Sequence, residues 1–301
     1  MRKEFVHSFI KGIAHKENVI FITGDLGFNA LEEIKKIMGS RFINAGIIEQ
    51  SIIGIASGLA SNGFQVFCYS IAPFITLRCL EQIKLDVALP QLPVFIIGNG
   101  GGYSYGLNGP THHTLEDLGC LSTLPNFNCY TPAFFSDLDY CLTDIMQNNK
   151  PAYLRLGWSK NNWPTTSPIN DAPWLKQTPQ PKLTVLVSGP LIYNVWPTIN
   201  NRTDVDLFSI IKTPLTKIPT DLAVSLQNSH NLLVLEEHQA MASLGTNISW
   251  LIHQENLSLN KFTHRYALGY PHNLYGDQEY HQNVSGLDQN SLDQLINALT
   301  K

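Results

Sequence analysis

The chain has 301 residues, of which 44% are hydrophobic, and this suffices for two domains with cores of their own. A formal net charge of -4 at pH 7 gives no basic footprint for nucleic acid. Charged residues make up only 15% of the chain, which favours a protein that covers part of its surface in subunit contacts.

The five cysteines indicate reduced thiols, because their number is odd and none shows C-x-x-C spacing. The N-terminal segment spreads its charges through an amphipathic helical pattern, which differs from a signal peptide. No run approaches the roughly 18 apolar residues that a membrane span needs. These features predict a cytoplasmic protein with no membrane segment and no structural metal on cysteine.

After an opening amphipathic helix, the apolar run 19–22 predicts a strand, and the turn 23–27 follows it. Asp25 therefore stands at the carboxyl end of a strand. Open parallel sheets bind ligands at that edge, although an ordinary turn aspartate explains the position equally well.

The segment 41–63 contains a single acid, Glu49, among apolar residues. It predicts a helix that is apolar on nearly every face and therefore buried all round. Gly54 and Gly58 lie four residues apart on one face, which would let a second helix approach closely. Glu49 lies near the N-terminal end, where the helix dipole favours the anion and apolar neighbours favour the neutral acid. On local grounds the simplest interpretation is that Glu49 complements the helix N-terminus.

A strand at 65–70 is followed by a helix that starts after Pro73 with Phe74, and Phe74 by itself is most simply a core residue. The buried strand 93–98 ends in a glycine-rich loop that carries His112 and His113. The spacing of these histidines fits no standard zinc pattern. Substrate handling is the better interpretation, since a histidine can donate to or accept from a sugar oxygen near neutral pH.

Residues 158–182 are rich in Pro, Asn, Ser and Thr and predict a linker between domains 1–157 and 183–301. Strands and helices alternate on both sides of it. The pattern predicts an α/β protein with two domains, each with a mainly parallel sheet flanked by helices. Glu236-Glu237-His238 ends a predicted strand and is left outside the catalytic set.

Several motifs together resemble the transketolase-like, thiamine diphosphate-dependent enzymes, and the resemblance covers essentially the whole chain. The stretch 46–50, G-I-I-E-Q, is similar to the family motif "G-I-x-E-Q/H". Residues 109–112, G-P-T-H, reproduce the centre of the family loop "D-G-P-T-H-Q". The resemblance implies a pyrimidine-binding domain followed by a transketolase C-terminal domain.

The resemblance also assigns roles to single residues. It implies that Glu49 activates the cofactor by hydrogen-bonding a ring nitrogen of its aminopyrimidine, and that His112 is the active-site histidine. The remaining expected cofactor contacts are Asp25, Ile48, Phe74, Leu77 and Arg78. The expected substrate contacts are Asn108, His112, His113 and Arg155, the last through a substrate phosphate.

Two of these positions depart from the family. Asn108 replaces the usual aspartate, and an amide is uncharged and can donate as well as accept a hydrogen bond. His113 replaces the usual glutamine. The sugar donor or acceptor is therefore expected to differ from the ordinary pentose phosphates.

The family's other half, which holds Mg²⁺ and the diphosphate through a "G-D-G" motif, has no counterpart in this sequence. The resemblance therefore implies the C-terminal subunit of a split transketolase of carbohydrate metabolism. It would pair with a separate diphosphate-binding subunit as an α2β2 heteromer. The metal ligands would come from that partner.

Three alternatives stay open at this point. The β subunit of a 2-oxo acid dehydrogenase shares the domain layout, but the G-P-T-H loop favours transketolase. A deoxyxylulose phosphate synthase-like reaction would use decarboxylated pyruvate, and Asn108 keeps it open. A catalytically inactive scaffold subunit is the third, and the presence of Glu49, Phe74 and His112 argues against it.

Overall fold

The computed structural model describes residues 1–159 and 170–301, so the part of the predicted linker between them lies outside the described residues. The strands are, in chain order, β1 (Val19–Thr23), β2 (Phe42–Asn44), β3 (Gln65–Ile71), β4 (Val94–Asn99), β5 (Asn128–Tyr130), β6 (Ala152–Leu156), β7 (Trp174–Lys176), β8 (Leu183–Ser188), β9 (Val205–Ile210), β10 (Lys212–Thr213), β11 (Asn231–Leu235) and β12 (Lys261–Arg265). The helices are α1 (Arg2–Gly12), α2 (Glu32–Met38), α3 (Glu49–Ser61), α4 (Ala72–Ile75), α5 (Leu80–Gln82), α6 (Asp117–Ser122), α7 (Ser136–Asn148), α8 (Ile192–Ile199), α9 (Thr220–Ser229), α10 (Leu244–Gln254), α11 (Gln278–Val284) and α12 (Gln289–Leu299).

The strands form two sheets, in the orders β10-β5-β6-β4-β3-β1-β2 and β12-β11-β8-β9-β7. Neighbouring strands pair in parallel, except that β10 and β7 run antiparallel at the sheet edges. Parallel strands covered by helices on both faces are buried and mainly apolar, as β1, β4 and β8 are. The predicted α/β class with two mainly parallel sheets is confirmed.

Both faces of the first sheet are buried. Aromatic side chains fill one face, among them Phe9, Phe21 and Phe67, beneath α1, α2 and α7. The other face packs against α3 through Ile52 and Ile53. This second contact fixes the start of α3 at the carboxyl edge of the sheet, where the predicted ligand residues cluster.

Helix α3 is not buried on all sides, contrary to the sequence expectation. Ile52 and Ile53 face the sheet, whereas Gly54, Ile55 and Gly58 are exposed. Among the described residues, no atom lies within 4 Å of a β-carbon placed on either glycine. The close-packing face that the sequence predicts is therefore present, but residues 1–159 and 170–301 do not cover it.

The single helix expected after Pro73 is broken into short pieces. Helix α4 ends at Ile75, a 3-10 turn spans Leu77–Cys79, and α5 passes into a π-helical turn at Ile83–Ala88. The Thr76 hydroxyl donates to the carbonyl of Ala72 at 2.6 Å, and such back-bonding competes with regular helical bonds.

The second sheet includes a strand from the predicted linker, and a strand that follows β9 in the chain joins the first sheet. Strand β7, inside the stretch predicted as linker, is the edge strand of the second sheet. Strand β10, which follows β9, pairs with β5 of the first sheet. Lys212 of β10 also forms an ion pair with Asp144 of α7 at 2.8 Å. The second part of the chain is therefore joined to the first by backbone pairing as well as by side chains.

Within the described part of the chain, every helix falls short of the length and hydrophobicity that a bilayer span requires.

The glycine-rich loop after β4 is held by the second domain. The carboxylate of Glu237 accepts a hydrogen bond from the backbone N–H of Tyr103 at 2.7 Å. It also accepts from the side-chain amides of Gln278 and Gln282. Gly102 has a φ of +66°, and a β-carbon there would collide with the Glu237 carboxylate. Only glycine fits this position without strain.

We expect Gly102→Ala to lower the free energy of unfolding by about 1–3 kcal/mol, because it adds left-handed strain and a clash. Gly54→Ala is the matched control. It lies in the interior of α3 with open space around it, and should raise the stability of the isolated chain by about 0.5–1 kcal/mol. Urea unfolding of the isolated chain measures both values. A Gly102→Ala protein as stable as the parent would contradict this account of the loop.

Candidate active site

Glu49 is the first residue of α3, and the residue is only 3% exposed. Its Oε1 accepts a hydrogen bond from the hydroxyl of Ser70 at 3.1 Å. Its Oε2 accepts from Nη1 of Arg78 at 2.9 Å. Ser70 lies at the carboxyl end of β3 and is fully buried. Because a buried carboxylate is costly without partners, these two contacts stabilise Glu49 in one orientation.

Three aromatic rings, those of Phe74, His112 and Tyr105, form a group that Arg78 connects to this carboxylate. The guanidinium carbon of Arg78 lies 4.3 Å from the ring centroid of Phe74, a cation–π contact. The His112 ring lies 5.1 Å from the Phe74 ring at 64°. The Tyr105 ring lies 5.7 Å from the His112 ring, centroid to centroid. The structure therefore brings together Glu49, Phe74, Arg78 and His112, which are far apart in the sequence.

His112 is half-buried, and its hydrogen bonding singles out one ring nitrogen. Nδ1 lies 2.9 Å from the hydroxyl oxygen of Thr111. Within the described part of the chain this leaves Nε2 as the nitrogen that can meet a substrate oxygen. Asn108 is exposed and follows Tyr105 in the same loop. Asn108 and Tyr105 line a cavity of about 490 Å³, together with Asn99 and residues 1–4.

Asp25 is exposed and has a φ of +48°, a left-handed conformation that aspartate tolerates. Its backbone N–H donates to the Asn44 side-chain oxygen at 2.9 Å, and the Asn44 amide donates to the Asp25 carboxylate at 3.2 Å. The same Asn44 oxygen accepts from the N–H of Gly46, just before α3. Asn44 thus connects Asp25 to the segment that positions Glu49.

The remaining expected cofactor residues lie at the rim of this group. Ile48 immediately precedes Glu49 and is 45% exposed, and its neighbour Ile47 is 74% exposed. Leu77 is half-buried in the 3-10 turn that also carries Arg78. The Glu49 carboxylate is therefore buried beneath a surface that is open and apolar.

The contacts of His113 do not support its expected substrate role. The side chain is 3% exposed, with Nδ1 2.6 Å from the hydroxyl of Tyr270 and Nε2 2.7 Å from the carbonyl oxygen of Gly106. Burial lowers the pKa of His113, which favours a neutral ring that donates from Nε2 and accepts at Nδ1. Both nitrogens are thus occupied in joining the loop to the second domain.

The expectation that Arg155 meets a substrate phosphate is also not supported in this structure. Arg155 is 6% exposed, and its Nε lies 3.0 Å from the Asp117 carboxylate. Its Nη2 donates to the backbone carbonyls of Thr114 and Glu237, the latter from the second domain. Tyr153 donates to the same Asp117 oxygen at 2.6 Å. Arg155 therefore stabilises the base of the loop that carries His112.

Sequence reasoning missed three residues that orient the site: Ser70, Asn44 and Tyr105. Ser70 had a detectable signal, because it is a polar residue at the end of an otherwise apolar strand. Asn44 had a similar signal at the end of β2. Tyr105 had none, since its role depends on ring contacts that only the folded loop creates. Its hydroxyl accepts from the Asn99 amide at 2.8 Å, which fixes its ring beside His112.

A buried carboxylate that an arginine links to an aromatic ring, at the carboxyl edge of a parallel sheet, fits the pyrimidine half of thiamine diphosphate. A carboxylate can hydrogen-bond a ring nitrogen, and a flat electron-poor ring stacks well on a phenyl face. Residues 1–164 match the family model of the transketolase pyrimidine-binding domain. The chain belongs to this family, whose members use thiamine diphosphate, and the resemblance seen in the sequence is confirmed.

Relatives extend this result. The chain is 34% identical over 157 residues to an apulose-4-phosphate transketolase subunit of Phocaeicola vulgatus, an alignment that covers 52% of this chain and 50% of that protein. It is 28% identical over 253 residues to 1-deoxy-D-xylulose-5-phosphate synthase 1 of Geobacter metallireducens, with 81% of this chain and 39% of that protein covered. The alignments thus span half or less of the length of both relatives.

A solved split-gene transketolase chain has the same fold. It superposes with a TM-score of 0.83 at 20% sequence identity, and the match covers 99% of this chain and 97% of that one. Both domains therefore share the architecture of that chain.

We expect Asp117→Ala to lower the free energy of unfolding by about 3–5 kcal/mol, because it leaves the buried Arg155 guanidinium without its carboxylate. Lys11→Ala is the control, since it removes an ion pair with Asp139 whose side chains are 65% and 43% exposed. That change should cost about 1 kcal/mol or less. Urea unfolding measures both, and equal effects of the two variants would refute a structural role for the buried pair.

Proposed function

We propose that this chain is the pyrimidine-binding, C-terminal subunit of a split transketolase. Together with a diphosphate-binding partner it transfers a two-carbon ketol unit from a ketose or ketose phosphate to an aldose acceptor. The observation that carries the proposal is the buried Glu49 carboxylate, which Arg78 links to the Phe74 ring by an ion pair and a cation–π contact. The similarity to a protein named as a transketolase subunit supports it.

The residues of this chain would hold the pyrimidine half of the cofactor. Glu49 would hydrogen-bond a ring nitrogen, and the Phe74 ring would stack on the pyrimidine face. Ile48 and Leu77 would supply apolar contacts at its rim, and Asp25 lies on the neighbouring strand end. Thiamine diphosphate, when bound, supplies the carbanion chemistry that cleavage of a ketose requires. Its diphosphate and the Mg²⁺ ion would be held by the partner subunit.

His112 and Asn108 would handle the sugar. Nε2 of His112 is the ring nitrogen left for a substrate oxygen, to which it can donate or from which it can accept a proton. The Asn108 amide would pair with a sugar hydroxyl, and it can act as donor or acceptor without charge. This difference from the aspartate of ordinary transketolases supports a substrate outside the common pentose phosphates. His113 and Arg155 would support this loop from beneath.

The partner subunit would complete the site against the open face of α3. That face presents Ile47, Ile55 and the two exposed glycines Gly54 and Gly58. Apolar side chains flanking small residues suit the close approach of another helix. The split-gene chain with the same fold is described as an inactive beta4 tetramer, which supports inactivity of such chains without their partner. We infer an α2β2 assembly.

A second candidate function is a deoxyxylulose phosphate synthase-like condensation that uses decarboxylated pyruvate. It is favoured by the alignment to such a synthase, which covers 81% of this chain and extends into its second domain. The uncharged Asn108 is compatible with it. The same Glu49, Phe74 and His112 would serve in either reaction.

A product screen separates these functions. The chain is produced with its candidate partner, thiamine diphosphate and Mg²⁺, and is offered ketose phosphates, unphosphorylated ketoses and pyruvate with a set of aldose acceptors. Ketol transfer to an aldose supports the proposal. Carbon dioxide release from pyruvate with a condensed product supports the second function, and no turnover with any pair supports a scaffold role.

We expect Glu49→Gln to reduce kcat in this assay at least about 100-fold, because the amide cannot exchange a proton with the pyrimidine ring. The fold should be retained, since the amide oxygen can still accept a hydrogen bond from Ser70 or Arg78. Glu81→Gln, an exposed glutamate on α5, is the control and should keep parental activity. Near-normal turnover by Glu49→Gln would rule out the mechanism.

We expect Gly54→Leu to leave the isolated chain folded but to weaken its association with the partner at least tenfold, because the side chain blocks close helix approach. Gln227→Leu on the exposed face of α9 adds the same side chain in the second domain and should have no effect. Analytical ultracentrifugation of the mixed subunits measures both. Unimpaired assembly of the Gly54→Leu protein would place the interface elsewhere.

A further inference from the structure

The side chain of Arg78 lies where two contacts converge. Its guanidinium lies over the Phe74 ring at 4.3 Å, and its Nη1 donates to Oε2 of Glu49 at 2.9 Å. The sequence predicts Arg78 as a cofactor contact, but here it uses both groups that are assigned to the pyrimidine. A guanidinium is planar, stacks on aromatic rings and donates N–H groups in its plane.

A bound aminopyrimidine would need the same aromatic face and the same carboxylate. Oε1 of Glu49 accepts from the buried Ser70 hydroxyl and Oε2 from Arg78, so a ring nitrogen that takes the place of the guanidinium would meet Oε2. Arg78 and the pyrimidine therefore compete for one oxygen and one ring face. Both cannot be satisfied in the same conformation of Arg78.

From these contacts, and resting on the proposed function, we propose that Arg78 is an internal placeholder for the cofactor's aminopyrimidine. In the free chain its guanidinium stacks on Phe74 and pairs with Glu49. On cofactor binding it swings out, and the pyrimidine replaces it. The arginine thus satisfies a buried carboxylate that would otherwise be left with one partner.

The local structure allows this exchange. The Arg78 side chain is 45% exposed, whereas that of Glu49 is 2% exposed, so the arginine can leave toward solvent while the glutamate stays in place. The Arg78 carbonyl accepts a hydrogen bond from the Gln50 side chain at 3.2 Å, which ties the backbone of the turn to α3. Ser70 retains the other carboxylate oxygen. The exchange therefore requires movement of the Arg78 side chain but not of its backbone.

If Arg78 is a placeholder, it must lower the affinity of the chain for a pyrimidine. The apparent affinity of a site is its intrinsic affinity multiplied by the fraction of molecules in which the site is free. The arginine therefore weakens the binding of any pyrimidine. A partly exposed ion pair and one cation–π contact together correspond to a modest bias toward the closed form. We therefore expect its removal to tighten binding of a pyrimidine about five- to tenfold. An arginine that binds the cofactor directly would give the opposite sign.

The test measures binding of 4-amino-5-hydroxymethyl-2-methylpyrimidine to the isolated full chain by ligand-observed NMR titration. Arg78→Ala should bind this probe about five- to tenfold more tightly than the parent. Arg78→Lys, which keeps the charge but loses the planar group, should show a smaller gain. Arg265→Ala removes an exposed arginine from β12 of the second sheet and should match the parent.

Glu49→Gln in the Arg78→Ala background identifies the site, since it should weaken the gained binding. Equal or weaker binding by Arg78→Ala and Arg78→Lys, with binding still dependent on Glu49, would overturn the placeholder and leave the proposed function intact. Failure of every variant to bind the probe would refute the placeholder and would also count against a pyrimidine site at Glu49.

Discussion

The organisation of this site depends on one buried carboxylate. Glu49 begins α3 at the carboxyl edge of a parallel sheet, and burial of a charged group there is tolerated only because both of its oxygens are paired. Ser70 approaches from the strand beneath, and Arg78 from the turn beside it. The apolar contact of α3 with the sheet, through Ile52 and Ile53, determines where the carboxylate lies relative to the sheet. The position of the acid thus follows from helix packing, and its orientation from two side chains.

The second domain contributes to the site without contacting Glu49 directly. Glu237 accepts a hydrogen bond from the N–H of Tyr103, and Tyr270 pairs with His113, so the loop that carries His112 is attached to the second domain by several hydrogen bonds. Burial raises the pKa of Glu237 and lowers that of His113, and these shifts fit groups that serve as internal hydrogen-bond partners. The strand pairing of β10 with β5 adds a backbone connection. The geometry of His112 is therefore a property of the two domains together.

One side of α3 is exposed to solvent although it carries apolar and small residues. Gly54, Ile55 and Gly58 face outward, and the alignments to the two relatives named above span half or less of the length of those proteins. Near the start of the same helix, Arg78 lies over the Phe74 ring and pairs with the Glu49 carboxylate. The proposed partner would cover the apolar surface, and the cofactor would replace the arginine.

The sequence by itself determined the α/β class, the strands of both sheets that run through apolar stretches, and the position of Glu49 near the N-terminal end of α3. Apolar runs, helix-terminal residues and family motifs are local, so a single sequence displays them. The tertiary structure alone decided which side chains meet. His113 and Arg155 lie in motifs that resemble substrate contacts, yet their partners come from Tyr270 and Glu237, which are remote in the sequence. The exposure of one face of α3 and the position of Arg78 were likewise undetermined, because they depend on how separate segments pack, and no local pattern encodes that packing.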